Sequence, residues 1–217
     1  MIRFDDRLRA ALTTNLEAHE RRAKPLDGRR HAAVAVVLVD SDPRLHAGAM
    51  VGAPGGAAFL LCQRAARMRR HAGQWALPGG AVEPTETALE AALRELDEEL
   101  GVHLGPTAVL GWLDDYPTRS GYVITPAVLW GGRDPALTPA EDEVLAVYRV
   151  SLDTLAQAEP RFTTIPQSDR SVLQLPLEGH LLHAPTGAIL YQLRQVALLG
   201  RAGERVDEFE QPVFAWS

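Results

Sequence analysis

The chain has 217 residues, 46% hydrophobic and 23% charged, with a formal net charge of −6 at pH 7. That length can bury the core of one large domain, and the acidic balance argues against general nucleic-acid binding through a basic surface. Cys62 is the sole cysteine, which excludes an internal disulfide and agrees with a reducing, cytoplasmic setting. Lys24 is the sole lysine, so anion contacts fall to arginine and Schiff-base chemistry is disfavoured.

In chain order, Phe4, Leu8, Ala11, Leu12 and Leu16 fall at helical spacing, predicting an amphipathic helix over 4–19 that Pro25 and Gly28 terminate. The opening residues lack the charged-then-apolar order of a secretion signal, and no apolar run reaches membrane-span length. β-Branched content makes 31–39 a buried strand. The Gly- and Pro-rich stretch 41–57 lacks the Gly-Lys-Ser/Thr of a Walker loop and reads as a hairpin connection to a strand over 59–63. A loop over 65–80 precedes a helix starting near Thr85 or Glu86 and ending at Leu100, with Leu89, Leu93, Leu96 and Leu100 as its apolar face and Gly101 as its stop. Strands follow at 108–113, 122–130 and 144–150, then a short helix over 151–158 capped by Ser151, a strand at 172–175 and a final helix over 186–199. The organisation expected is an N-terminal helical segment, 1–30, packed on a domain spanning 31–200, with a tail over 201–217. Strands interleaved with helices indicate an α/β layered fold.

The chemistry concentrates in Gly80-Ala-Val-Glu-Pro-Thr-Glu86, seven further residues, then Arg94-Glu95-Leu96-Asp97-Glu98-Glu99-Leu100-Gly101-Val102. Glu95, Glu98 and Glu99 stand at i, i+3 and i+4, on one helical face. Such carboxylates repel unless a hard cation neutralises them, which points to Mg²⁺ chemistry on a phosphate. All three are expected as exposed acids facing an open groove. A solvated acidic helix is the simpler alternative, but it explains neither Gly80 nor Arg94. Glu90, four residues before Arg94, is a further candidate partner for it. His180 and His183 lack partners at metal-ligand spacing, and Ser120 is not in a serine-hydrolase elbow.

The run meets every fixed position of the Nudix box, and the chain resembles the Nudix hydrolases. The resemblance implies a mixed β-sheet sandwiched between helices (α/β/α) and hydrolysis of a diphosphate with Mg²⁺ or Mn²⁺. It implies Glu95, Glu99, Glu98 and the Gly79 carbonyl as metal ligands, with Glu98 also a candidate base. Glu86 and Arg94 match the pair that orients the acids. Glu143 falls where family members carry an extra acidic group, with Glu141 and Asp142 as competitors and an ordinary surface turn as the alternative.

Upstream, Leu60-Leu61-Cys62-Gln63-Arg64-Ala65, Arg69, Gly73 and Leu77-Pro78-Gly79-Gly80 are similar to the added motif of the coenzyme A diphosphatases. Cys62 and Leu77 depart from its Thr and Phe. The similarity implies Arg64 and Arg69 as phosphate contacts, with His71 and Gln74 beside them. Read without it, Arg64 is a strand-end ion pair and Arg69 part of a solvated basic run. Trp112–Thr118 and Gly121–Pro126 also resemble the subgroup, whereas the last third departs from it. The expected partner is a nucleotide-like small molecule, with no DNA and no membrane; a homodimer is left open. Coenzyme A or acyl-coenzyme A is the leading substrate, ahead of ADP-ribose or NADH; a non-catalytic nucleotide sensor is the alternative of another class.

Overall fold

The computed structural model describes residues 1–41, 53–65 and 73–216. Its centre is a mixed sheet in the order β3-β2-β1-β7-β5, where β1 is Arg30–Asp40, β2 Ala57–Arg64, β3 Trp75–Ala76, β5 Val109–Trp112 and β7 Tyr122–Gly132. Strand β4 (Gly79–Ala81) pairs with β1, β6 (Tyr116–Pro117) with β7, and β8 (Val144–Ser151) with β2. β1 and β7 run parallel, Ala32 opposite Ile124 and Val37 opposite Leu129, while the β1–β2 and β2–β8 pairs are antiparallel.

The period-two alternation of β1 assigns its side chains to two cores. Ala33, Ala35, Val37 and Val39 join Ala91, Ala92, Leu96 and Leu100 of α2 (Ala88–Leu100) on one face. Val36 and Leu38 face the other way, towards Leu12 and Leu16 of α1 (Asp6–Glu17), Leu152 and Leu155 of α3 (Leu152–Gln157) and Ile189 and Leu190 of α4 (Thr186–Gln192). The mixed sheet thus lies between helices, as the family resemblance implied.

Several elements differ from the sequence reading. A three-stranded antiparallel sheet, β9 (Arg161–Ile165), β10 (Ser168–Leu177) and β11 (His180–His183), occupies the α4 side, where only a strand at 172–175 was expected. Four of the five β9 residues are exposed, so that strand carries no alternation to read. The last helix is α-helical only to Gln192 and π-helical over Leu193–Leu198, where the Asn15 side chain of α1 donates to the Ala197 carbonyl at 2.8 Å. Helix α1 ends at Glu17, well before Pro25, because His19 turns inward to a buried contact with Asp114. The predicted hairpin connection falls largely on 42–52, and Arg69 and His71 within 66–72; both segments lie outside the described residues. Among the described residues, no helix is long and apolar enough to cross a membrane.

Candidate active site

Helix α2 is fixed at both ends by its own sequence. Thr87 and Glu90 form a reciprocal capping box, the Glu90 carboxylate accepting from the Thr87 amide at 2.7 Å. Glu90 is therefore committed to the cap, and Arg94 pairs with Glu86, as the family resemblance implied, and not with the further candidate Glu90. At the other end Gly101 adopts φ 68°, and the amides of Thr138 and Ala140 satisfy the carbonyls of Leu100 and Glu99.

The helix begins at Ala88, two or three residues later than predicted, which leaves Glu86 outside it and free to reach back over Arg94. Arg94 then works as a fork. Its Nε donates to Glu86 at 2.6 Å, and its Nη1 to Glu95 and Glu98, both at 2.9 Å. Nη2 donates to Glu86 and the Ala81 carbonyl at 3.1 Å each, fastening α2 to β4. The Arg94 bond to Glu86, with the Glu83 amide, lowers the Glu86 pKa.

The three box carboxylates do not share one environment. Glu98 is 60% exposed, Glu95 17% and Glu99 only 6%, so the expectation of three exposed acids is corrected at Glu99. The cause is the α2–sheet contact: Glu99 sits beside buried Leu96 and Leu100, under the turn that leads into β4. Its carboxylate accepts from the Gly79 amide at 3.2 Å, and Arg64 Nη1 lies 3.8 Å away. Burial pushes the Glu99 pKa up to about 7, Arg64 and the Gly79 amide offset part of this, and the charges of Glu95 and Glu143 add to it. Burial likewise raises Glu95, against the pull of Arg94, with Glu98 and Glu143 adding repulsion.

Glycine is required where β4 meets these acids. A Cβ on Gly80 would stand 2.2 Å from Glu95 Oε1, and one on Gly79, at φ +153°, would meet the Ala33 carbonyl at 2.3 Å. Glu143 is exposed; its backbone carbonyl accepts from the Ala65 amide at 2.8 Å, which ties its turn to the end of β2. Arg64 closes β2, in the strand-end ion pair that the residues alone suggested, while its Nε is buried and unpartnered. Gln74 faces Arg64 across the β2–β3 hairpin, its carbonyl accepting from the Arg64 amide at 3.0 Å.

The site thus gathers Glu86, Glu95, Glu98, Glu99 and Glu143 around Arg64 and Arg94, an excess of negative charge made of hard oxygen donors. That chemistry fits a divalent magnesium-type cation. Among the described residues no three acidic, histidine or cysteine side chains already converge at metal-binding distance, since Arg94 occupies oxygens of Glu95 and Glu98.

Beside the carboxylates opens a mostly apolar cavity of about 250 Å³. Arg64, Gln74, Gly79, Gly80, Trp75 and Tyr122 line it. Thr118, Ser120, Thr186, Gln211 and Ala215 also line it, and the sequence reading assigned none of these to the site. Leu77 is buried in the core while touching the cavity, and burial among β2 neighbours pushes the Cys62 thiol up, as befits a core residue.

The NUDIX domain profile matches residues 29–174, two-thirds of the chain. The chain belongs to the Nudix family. Over 95 residues it is 43% identical to a protein described as an uncharacterized Nudix hydrolase NudL from Escherichia coli O7:K1, covering 43% of this chain and 50% of that protein. NudL of Escherichia coli K12 gives the same identity and coverage. The chain therefore matches about half the length of these curated relatives. Among solved structures, a MutT/nudix family protein from Enterococcus faecalis superposes with a TM-score of 0.51 at 17% identity, covering 80% of this chain and 64% of that one, a likeness of fold.

Proposed function

We propose that this Nudix protein is a Mg²⁺- or Mn²⁺-dependent pyrophosphohydrolase that cleaves coenzyme A or its acyl derivatives to 3′,5′-ADP and (acyl-)4′-phosphopantetheine. The carrying observation is the under-neutralised carboxylate cluster, with Glu99 buried 3.8 Å from the Arg64 guanidinium, packed against the Gly79–Gly80 backbone that lines the cavity. Glu95, Glu99, Glu98 and the Gly79 carbonyl would hold the cation, which when bound neutralises phosphate oxygens and activates water.

The chain's own groups do the rest. Arg94 fixes the directions of Glu95 and Glu98, so the charges are placed before substrate arrives. Glu98, the most exposed of the three, is the proposed proton acceptor for the attacking water, with Glu143 as the nearby alternative. The glycines of β4 let the phosphates approach the backbone closely. Arg64, which lines the cavity, offers its guanidinium to a phosphate oxygen, and Gln74 lies beside it.

The choice of coenzyme A rests on the spacing of Leu60–Ala65, Arg69, Gly73 and Leu77–Gly80, with Arg69 and His71 proposed as further substrate contacts. Mass-spectrometric product analysis on coenzyme A, dephospho-coenzyme A, ADP-ribose and NADH, with each metal and with chelator, tests both levels. Metal-dependent 3′,5′-ADP from coenzyme A alone supports the full proposal. Cleavage of the other compounds in preference would replace the substrate and keep the chemistry. Binding without cleavage of any would favour a sensor.

A further inference from the structure

Two of the last ten described residues, Gln211 and Ala215, line the cavity beside Gly79 and Gly80. Glu210 and Gln211 are almost wholly buried, which is unusual for such side chains. Arg119, in the turn between β6 and β7, grips Glu210 through both carboxylate oxygens, Nε at 3.0 Å and Nη2 closer still, while its backbone amide donates to Gln211 Oε1 at 2.6 Å. This grip, with help from Ser168 and the Gln211 amide, lowers the Glu210 pKa to about 2. Trp216 Nε1 donates back to the Gln211 carbonyl at 2.9 Å, and the Arg119 guanidinium lies 5.1 Å from the Trp216 ring. The Glu210 amide donates to Ser171 of β10 at 2.8 Å, and Tyr116 donates to the Phe209 carbonyl at 2.8 Å. The tail therefore bridges the central sheet and the small sheet.

Held this way, Gln211 and Ala215 face the same cavity as Gly79 and Gly80. At about 250 Å³ the cavity lies below the roughly 300–1,000 Å³ that encloses a whole drug-sized ligand. It has room for one half of a diphosphate diester.

We propose that the segment from Glu210 to Trp216 is a specificity wall, clamped by the positioning residue Arg119, that limits the group carried beyond the diphosphate. Gln211 offers that group an amide, and Ala215 sets the depth. The inference rests on the proposed pyrophosphohydrolase activity. It predicts that loosening the clamp changes binding of the substrate's outer group and leaves the carboxylate cluster intact.

The test compares Arg119→Ala, the charge-exchanged pair Arg119→Glu with Glu210→Arg, and Ala215→Leu on coenzyme A, ADP-ribose and the methyl ester of ADP. Arg119→Ala is expected to raise KM about tenfold for at least one substrate with kcat nearly unchanged, altering the ranking of the three, as loss of uniform binding requires. The exchanged pair should recover part of the loss. Ala215→Leu, which leaves the clamp in place, should raise KM most for the substrate whose outer group fills the cavity. Unchanged ranking in both single variants, or equal falls in kcat across all substrates, overturns the wall. If the wild type cleaves none of the three, the activity proposal fails separately, and calorimetric binding of coenzyme A in chelator decides the wall. Weaker binding by Arg119→Ala upholds it; equal affinities, or no binding by the wild type, overturn it.

Discussion

Gly80 and Glu95 are in direct apposition: a Cβ on the glycine would lie 2.2 Å from a Glu95 carboxylate oxygen. The atoms it would strike belong to the end of a flexible side chain, so Glu95 has room to yield while the fold survives. Gly80→Ala should therefore cost little in Tm, yet displace a carboxylate proposed to hold the metal, lowering kcat/KM by about 10²-fold. Gly79→Ala differs, because its Cβ meets backbone, the Ala33 carbonyl at 2.3 Å and Val34 Cα at 2.7 Å, at φ +153°. It should lose several kcal/mol of stability, on the order of the largest single-residue effects. Thermal melts and steady-state kinetics on the two variants separate these outcomes; equal effects on both readouts would contradict the distinction.

Glu99 gives a pH signature with a definite sign. Its pKa in the fold is about 7, against an ordinary 4.5, because burial disfavours the charged form. Between these values the folded state holds the extra proton, so this group's contribution is complete below the unfolded pKa and is lost as pH rises through the folded one. Glu99→Gln should stabilise chelator-treated protein at about pH 8 by on the order of a few kcal/mol, read as a raised Tm, and change it little near pH 4. Glu98→Gln, at a carboxylate 60% exposed, should leave the metal-free Tm almost unchanged at either pH. Melting curves across this range check the sign, and a Tm fall for Glu99→Gln at pH 8 would contradict the account. Both variants should lose most turnover.

Arg94 ties Glu86 to Glu95 and Glu98, the acids proposed to hold the metal, so the pair should act as one unit. Arg94→Lys keeps the charge but cannot reproduce the fork to Glu86, Glu95, Glu98 and the Ala81 carbonyl. A fall in kcat of about 10²-fold is expected even for this conservative change. Glu86→Gln and Arg94→Ala should be clearly non-additive in kcat/KM, with a coupling of about 0.5–3 kcal/mol in a double-mutant cycle. Additive losses would mean that Glu86 does not act through Arg94.

The legible parts of this molecule are those where a local pattern dictates the outcome. Gly101 ends α2 as expected because its left-handed conformation suits glycine. The strands at β1, β2, β7 and β8 contain the predicted ones because their apolar runs bury on the central sheet. The carboxylate spacing named the residues that gather at the site, but helical spacing says nothing about depth, and Glu99 disappears under β4 while Glu98 stays outside. The C-terminal lining of the cavity was illegible for a related reason. Gln211 and Ala215 are held there by long-range contacts, foremost that between Arg119 and Glu210, 91 residues apart in the chain. A polar pair followed by aromatics was the available signal, and it names no partner.

Asp114 shows how such long-range pairing stabilises the fold. Its side chain is wholly buried, lies 3.0 Å from His19 Nε2, and accepts from the Arg22 amide at 2.7 Å, Gln192 Nε2 at 2.9 Å and Arg205 Nη1 at 3.1 Å. It thereby joins the chain after α1, the approach to β6, the end of α4 and the segment after the π-helical turn. Burial opposes its ionisation, but these donors outweigh it and the pKa falls below the ordinary 3.8. The stabilisation is present above that value and is lost as pH falls through the depressed one. Asp114→Ala would strand several buried donors, Arg205 among them, at a cost of about 3–5 kcal/mol. Asp114→Asn keeps the shape but turns an acceptor towards Arg205 and Gln192 into a donor, so it too should destabilise. Urea denaturation at neutral pH measures both. A change below about 1 kcal/mol for Asp114→Ala, the scale of an ordinary surface pair, would show that this network does not anchor the N-terminal helix and the C-terminal segment.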